Sequence, residues 1–453
     1  MVKIKERIKT FVEGRAFAPF VALTAFLSHA FGAEIFAATV ISVLTSFFLL
    51  VSDNAIPTLS PILFFTYLIS RKHSPSYPAE SDYLLSVPVL VALIFCGALL
   101  MLSVIEFFVR NKYYKQISLR KAPELSGLLV YLFALIFSGI LSGDIKNAGF
   151  AALESIALLL PFLVLYFGVP SEYSGEFKSA LVYNALISVL LIFAELLLLY
   201  AEGGVIGDSG IIKEKIALGW GIWNNVGSSL VLPIPLLFLG AEGHPIPYLI
   251  GIVFALVGAV MTLSRNSILF GIIALFVSGS LLMLFGRQRR YLRRACILCL
   301  AILGVIFAVY FPEISRLLSD IFERGLSDNG RFALWREAFR GFFESPVIGN
   351  GFFAFRGEYH QFATVFPRLP HNTPLALLFG GGLFLFLSYG YYRLTTLRGI
   401  KKWHSVSHFL FVFSAMLLPL MSLLDNFFFN IYPTFLYTAA LAAHYHEGRA
   451  QDP

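Results

Sequence analysis

The chain has 453 residues, 58% hydrophobic and only 13% charged, where a soluble domain carries roughly 25% charged residues. With 47 phenylalanines and a mean hydropathy of +0.78, this composition excludes a soluble globular domain. The net charge of +7 would point to nucleic acid in a soluble chain; here it reads as the loop bias that orients membrane helices, and no nucleic-acid partner is expected.

Taken in order, the chain opens on a basic run with Lys3, Lys5, Arg7, Lys9 and Arg15. No small-residue cleavage site follows the first apolar run, so this segment is expected to be retained. Apolar runs then recur at 16–31, 33–51, 57–70, 83–108, 125–142, 149–168, 178–201, 226–240, 246–263, 267–285, 294–311, 372–392, 405–424 and 431–445. Many approach the 17–25 residues, roughly, that cross a hydrocarbon core of about 30 Å. The pattern predicts an all-α, polytopic integral membrane protein of about 12–14 transmembrane helices, with 57–70 and 226–240 short enough to be re-entrant. Three regions follow: residues 1–311 with short loops, an extracytoplasmic loop over 312–371, and C-terminal helices with a tail over 372–453.

Basic residues collect on one side: the N-terminal run, Arg110 to Lys121, Arg287 to Arg294, and Arg393 to Lys402. That bias puts both termini in the cytoplasm. It puts the turn at Arg265, the loop 202–225 and the segment 312–371 together on the other side. No duplication of the first half is visible, which weighs against a transporter. Cys96, Cys296 and Cys299 all lie in apolar runs, and the CxxC lacks a second ligand pair, so buried thiols are expected.

The long outer segment carries two amphipathic patterns. Ile314, Leu317, Leu318, Ile321 and Phe322 share one helical face, and Phe332, Trp335, Phe339, Phe342 and Phe343 repeat the pattern over 331–344. Both read as interfacial helices lying on the membrane. Arg265 sits where two spans meet almost without a loop, and so costly a charge is usually functional or partnered. It either snorkels to headgroups or grips a phosphorylated lipid with its guanidinium fork. Arg331 and Trp335, four residues apart, share a helical face, whereas Arg336 reads as a solvated or headgroup-facing charge. His371 follows Pro370 at the mouth of the span that starts at Thr373. It is either a hydrogen-bonded interfacial residue or a general base, since imidazole titrates near neutral pH. His360 is a competing loop histidine.

Glu154 and Glu195 lie within spans and either partner an arginine or bind a sugar hydroxyl. Asp425 and Asn426, in the final outer turn, are similar candidates. The run Gly219-Trp220-Gly221-Ile222-Trp223-Asn224-Asn225 offers sugar-stacking and amide groups, or simply interfacial anchors. No Walker A loop, HExxH, nucleophile elbow or dinucleotide fingerprint is present, so neither metal nor cofactor is expected.

Three elements carry a resemblance to a known family: Thr262-Leu263-Ser264-Arg265; Gly330-Arg331 and Trp335 followed by Ser345-Pro346-Val347-Ile348-Gly349-Asn350-Gly351; and His371-Asn372 followed by Gly382. In order and spacing the chain resembles the O-antigen ligase and O-antigen polymerase superfamily of bacterial envelope glycosyltransferases. It departs from the ligase pattern at Leu385, where a small residue or Tyr is usual. The resemblance implies a GT-C-like membrane fold and a metal-independent, inverting glycosyltransferase at the outer face of the cytoplasmic membrane. It implies a glycan donor on undecaprenyl diphosphate, and an acceptor that is another glycan, a lipid anchor or a protein. His371 would be the general base, Arg265 and Arg331 would hold the diphosphate, and Asn372, Trp335, Arg336, Gly382, Glu195 and Asp425 would support them. A lipid-linked oligosaccharide flippase and a protein O-oligosaccharyltransferase are the alternatives.

Overall fold

The structure, a computed structural model, describes residues 2–69, 87–120, 122–202, 206–207, 210–211, 216–218, 221–286, 290–291, 293–294, 297, 315, 331–352, 370–400, 405–426 and 430–449. Among them the chain is all-α and polytopic. The helices are α1 (Val2–Glu13), α2 (Phe17–Phe31), α3 (Glu34–Val51), α4 (Leu59–Ile69), α5 (Val87–Arg110), α6 (Pro123–Leu141), α7 (Ile145–Phe167) and α8 (Ser174–Ala201). They continue as α9 (Trp223–Val231), α10 (Ile234–Ala241), α11 (Pro245–Met261), α12 (Arg265–Phe285), α13 (Arg331–Glu344), α14 (Thr373–Gly399), α15 (Val406–Met421) and α16 (Ile431–Arg449). Two antiparallel ladders of two residues per strand, within 206–211 and 217–222, are the sheet structure among the described residues.

Among the described residues, eight helical stretches are long and apolar enough to cross a membrane: α3, α5, α6, α7, α8, the α9–α10 pair, α12 and α14. Shorter apolar helices are α2, Ile56–Phe65, α11 and α15. Apart from residues 294, 297 and 315, the expected span 294–311 and the amphipathic stretch 312–322 fall outside the described residues, as do Cys296, Cys299, Trp220 and His360. The expected span 226–240 lies within the Trp223–Ala241 stretch, whose hydrogen-bond ladder is interrupted at Pro233 because proline has no N–H. One expectation is corrected. The span 372–392 runs on to Gly399, so Arg393 belongs to a helix rather than to a charged loop. Its guanidinium lies 4.6, 5.1 and 4.9 Å from the ring centroids of Tyr389, Tyr392 and Tyr437. Such cation–π contacts hold a charge where water is scarce.

In a bilayer, lipid tails are as apolar as leucine, so helix association depends on close packing at small residues. Gly127 of α6 meets α14 in this way: a Cβ there would lie 2.6 Å from the Cα of Tyr392 and would overlap Thr395. Gly227 of α9 is in the same way covered by Ser267 of α12. Aromatic rings add to the packing, with Tyr131 of α6 stacked 6.0 Å from Tyr392 of α14 and Phe162 stacked 4.0 Å from Tyr166 within α7. The α6–α14 seam leads directly to the site, since Ser138 near the end of α6 donates to the Gly380 carbonyl at 2.8 Å. Gly127→Val should therefore destabilise the purified protein by the overpacking cost of roughly 1–3 kcal/mol and so lower its thermal midpoint. Gly97→Val, at a glycine with open space around it, should leave the midpoint nearly unchanged in the same thermal scan.

Candidate active site

The site is built on the turn after α15. Past the last helical residue the backbone carbonyls have no helical ladder and take their donors from elsewhere. Five consecutive carbonyls are taken up from three other elements. Met421 O accepts from Asn266 Nδ2 at 3.2 Å, Ser422 O from the Thr373 N–H at 2.9 Å, and Leu423 O from Asn372 Nδ2 at 2.8 Å. Leu424 O accepts from Arg331 Nη1 at 2.7 Å, and Asp425 O from the Thr373 hydroxyl at 3.4 Å. The starts of α12, α13 and α14, far apart in sequence, thus converge on residues 421–425.

Asp425 then organises the side chains. Its Oδ1 lies 2.9 Å from His371 Nδ1 and accepts the Asn426 N–H at 2.9 Å. Its Oδ2 accepts from Asn224 Nδ2 at 2.6 Å and lies 3.8 Å from Arg331 Nη2. Burial by itself would raise the Asp425 pKa, but the His371 hydrogen bond, the charges of His371 and Arg331 and the Asn426 N–H outweigh it and hold the carboxyl below its usual 3.8. A carboxylate in that state only accepts, so Nδ1 of His371 donates to it and Nε2 is the ring nitrogen turned away from the carboxylate. The carboxylate side chain is 9% exposed and the imidazole 38%: the orienting group is buried and the reactive one faces out.

Backbone geometry holds His371 in place. Its φ is +52°, in the left-handed region that costs a non-glycine residue on the order of 1–3 kcal/mol and tends to mark functional sites. The strain is held on both sides. Trp335 Nε1 donates to Pro370 O at 2.8 Å, and the Asn372 N–H donates to Asn426 Oδ1 at 3.0 Å. Asn372 also caps α14, its side-chain oxygen accepting from the Leu375 N–H at 2.9 Å. At the other arginine, Leu263 has φ +55° and Ser264 caps α12, accepting from Ser267 N at 3.4 Å. Arg265 is the exposed first residue of that helix, next to the Asn266 that reaches Met421.

Several expectations are therefore brought together here: His371, Arg331, Asp425, Asn372, Trp335 and the Arg265 turn. Gly382 lies farther along α14 as a non-helical break, with φ +57° and ψ −155°. Arg336 is exposed, away from the face of α13 that buries Leu334, Ala338 and Gly341. Phe332, Phe339 and Phe343 are exposed, while the opposite face packs on α14 through Leu334, Ala338 and Leu375. Glu195 is buried within α8 and takes no part in the hydrogen bonds to the turn named above. Leu385, where the sequence departs from the ligase pattern, is fully buried and sits over Gly381. Sequence reasoning did not single out the Asn224 contact with Asp425, the Asn266 contact with the turn, or Thr373. An amide or hydroxyl at a helix start beside a reactive turn was the available signal.

These observations define a class: an all-α polytopic membrane protein with a histidine–carboxylate pair and arginines gathered at one end of its bundle. The family model for O-antigen ligase matches residues 250–390. It supports membership of the O-antigen ligase and polymerase superfamily and a membrane glycosyltransferase-like role in polysaccharide ligation. No curated protein matches the chain. The matched stretch holds Arg265, Arg331 and His371, whereas Asp425 and Asn224 lie outside it.

The lowered Asp425 value sets a sign for stability. A depressed carboxyl stabilises the fold fully above its unfolded value, and that contribution is lost as pH falls through the folded value. The wild type should exceed Asp425→Asn in thermal midpoint at pH 7, and the gap should close as pH is taken below about 4. Thermal scans of both proteins from pH 7 to pH 3 check this; a gap that widened below pH 4 would contradict it.

Proposed function

We propose that this protein transfers a glycan from an undecaprenyl-diphosphate donor to an acceptor hydroxyl at the outer face of the cytoplasmic membrane, in surface-polysaccharide ligation or polymerisation. The observation that carries this reading is the Arg331–Asp425–His371 constellation beside the Arg265 turn, within a chain whose matched domain is that of O-antigen ligase. Nε2 of His371 takes the acceptor proton as the acceptor oxygen attacks the anomeric carbon. The bond from that carbon to the diphosphate breaks on the opposite face, so the configuration inverts. The imidazolium that forms is stabilised by Asp425, whose charge persists because its pKa is depressed. Arg265 and Arg331 stabilise the departing diphosphate, a role in which a permanent charge with a fork of donors is effective. The freed products are the extended acceptor and the polyprenyl diphosphate. Asn224 holds the second carboxylate oxygen and so keeps Oδ1 turned to the histidine.

Reconstitution with an undecaprenyl-diphosphate glycan and candidate acceptors tests the reading. His371→Ala should lose at least about 100-fold in transfer, and Arg265→Ala and Arg331→Ala about 100-fold or more, all three remaining folded. Arg331→Lys should recover little, because an ammonium cannot replace the bidentate fork. A ladder of products indicates polymerisation and a single shift indicates ligation. Full transfer by His371→Ala would overturn the base assignment, and movement of the glycan between leaflets without transfer would overturn the function.

A further inference from the structure

Ten residues into α14 the helical ladder stops at Gly382, and four backbone groups lose their helical partners. In their place the loop after α13 inserts its own backbone. The Leu383 N–H donates to Pro346 O at 2.8 Å and the Phe384 N–H to Val347 O at 3.0 Å. On the other side of the break, the Asn350 N–H donates to Phe379 O at 2.9 Å and the Gly351 N–H to Gly380 O at 2.7 Å. The loop thus supplies two acceptors below the break and two donors above it, which is the complement a broken helix needs.

The fit is tight enough to dictate residue type. A Cβ on Gly349 would lie 2.5 Å from the Gly380 carbonyl carbon, and one on Gly382 would lie 2.6 Å from the Val347 carbonyl carbon. Both glycines have positive φ, +69° and +57°. The loop is also tied down at its ends: Phe352 N–H donates to Ser138 O of α6 at 3.2 Å, and the Ser345 hydroxyl to Gly349 O at 2.8 Å. Asn350 makes the link between helices. Its Nδ2 donates to Gly341 O of α13 at 2.8 Å and reaches Phe379 O of α14 at 3.3 Å. Leu334, Ala338 and Leu375 form a small apolar cluster separate from the main core between the same two helices. One of those helices begins with Arg331 and the other follows directly on His371.

We propose that the loop 346–351, with Asn350 as its key positioning residue, clasps the break in α14 and sets Arg331 relative to His371 for the glycan transfer assigned above, a role that depends on that reading. The clasp touches no reacting atom. It acts by joining α13 to the upper half of α14, so that the group holding the leaving diphosphate and the group taking the acceptor proton move as one body. An error of about 1 Å between such groups costs on the order of 100-fold in rate.

The full chain in lipid nanodiscs, as wild type, Asn350→Ala and Gly349→Val, tests this with two readouts. Hydrogen exchange over 379–387 reports the clasp directly: both variants should exchange the Leu383 and Phe384 amides at least about tenfold faster than wild type. Transfer kinetics report its consequence: Asn350→Ala should lose about 10- to 100-fold in kcat, with the donor KM changed less than about threefold. Unchanged exchange in both variants overturns the clasp whether or not any transfer is seen. Faster exchange with wild-type kcat, or a loss confined to KM, overturns its positioning role. Absence of transfer by the wild type counts against the glycan-transfer reading, and the exchange data still decide the clasp.

Discussion

Everything at the candidate site depends on the carbonyls of the turn after α15. Past the last helical residue the backbone acceptors have no ladder of their own, and donors from elsewhere in the fold can take them up. In this protein the donors that answer are the side chains and N–H groups at the starts of three other helices. The need to satisfy one turn therefore gathers Asn266, Arg331, Asn372 and Thr373, and with them the neighbouring Arg265 and His371. Asp425 sits in the same turn, so the carboxylate that orients the imidazole is positioned by the same hydrogen bonds that satisfy the backbone.

Strain and compensation follow the same logic. His371 and Leu263 are the left-handed non-glycine residues that flank the two chemically important segments. Neither conformation would persist alone; each is bracketed by caps and side-chain bonds that over-determine it. Gly382 is the complementary case, where the helix itself gives way and an inserted loop restores its hydrogen bonds. Because α13 offers one apolar face to α14 and leaves Phe332, Phe339 and Phe343 exposed on the other, it links the site to its surroundings as well as to the bundle.

Much of this was legible in the residues. Long apolar runs, with charge excluded from them, imply helices whatever their packing, and the motifs around Arg265, Arg331 and His371 stand out as polar groups in an apolar chain. The failures have physical reasons. Hydropathy cannot see the interruption of the hydrogen-bond ladder at Pro233, because the residues on either side of it are equally apolar. Nor can it place Arg393 inside a helix, since the tyrosine rings that make its position tolerable come partly from α16. The Ser345 to Gly351 motif reads in sequence as a turn, and its glycines are explained only by the backbone that they face.

The sequence by itself determined the class of protein: an apolar, helix-forming chain whose few polar motifs mark one region for chemistry, since burying charge in lipid is costly and rarely without use. Tertiary structure alone decided which of those motifs meet. Asn224 and Asp425 are 201 residues apart and His371 and Asp425 are 54 apart. Contacts at such separations arise from how helices stack and where their ends need partners, which no local pattern encodes.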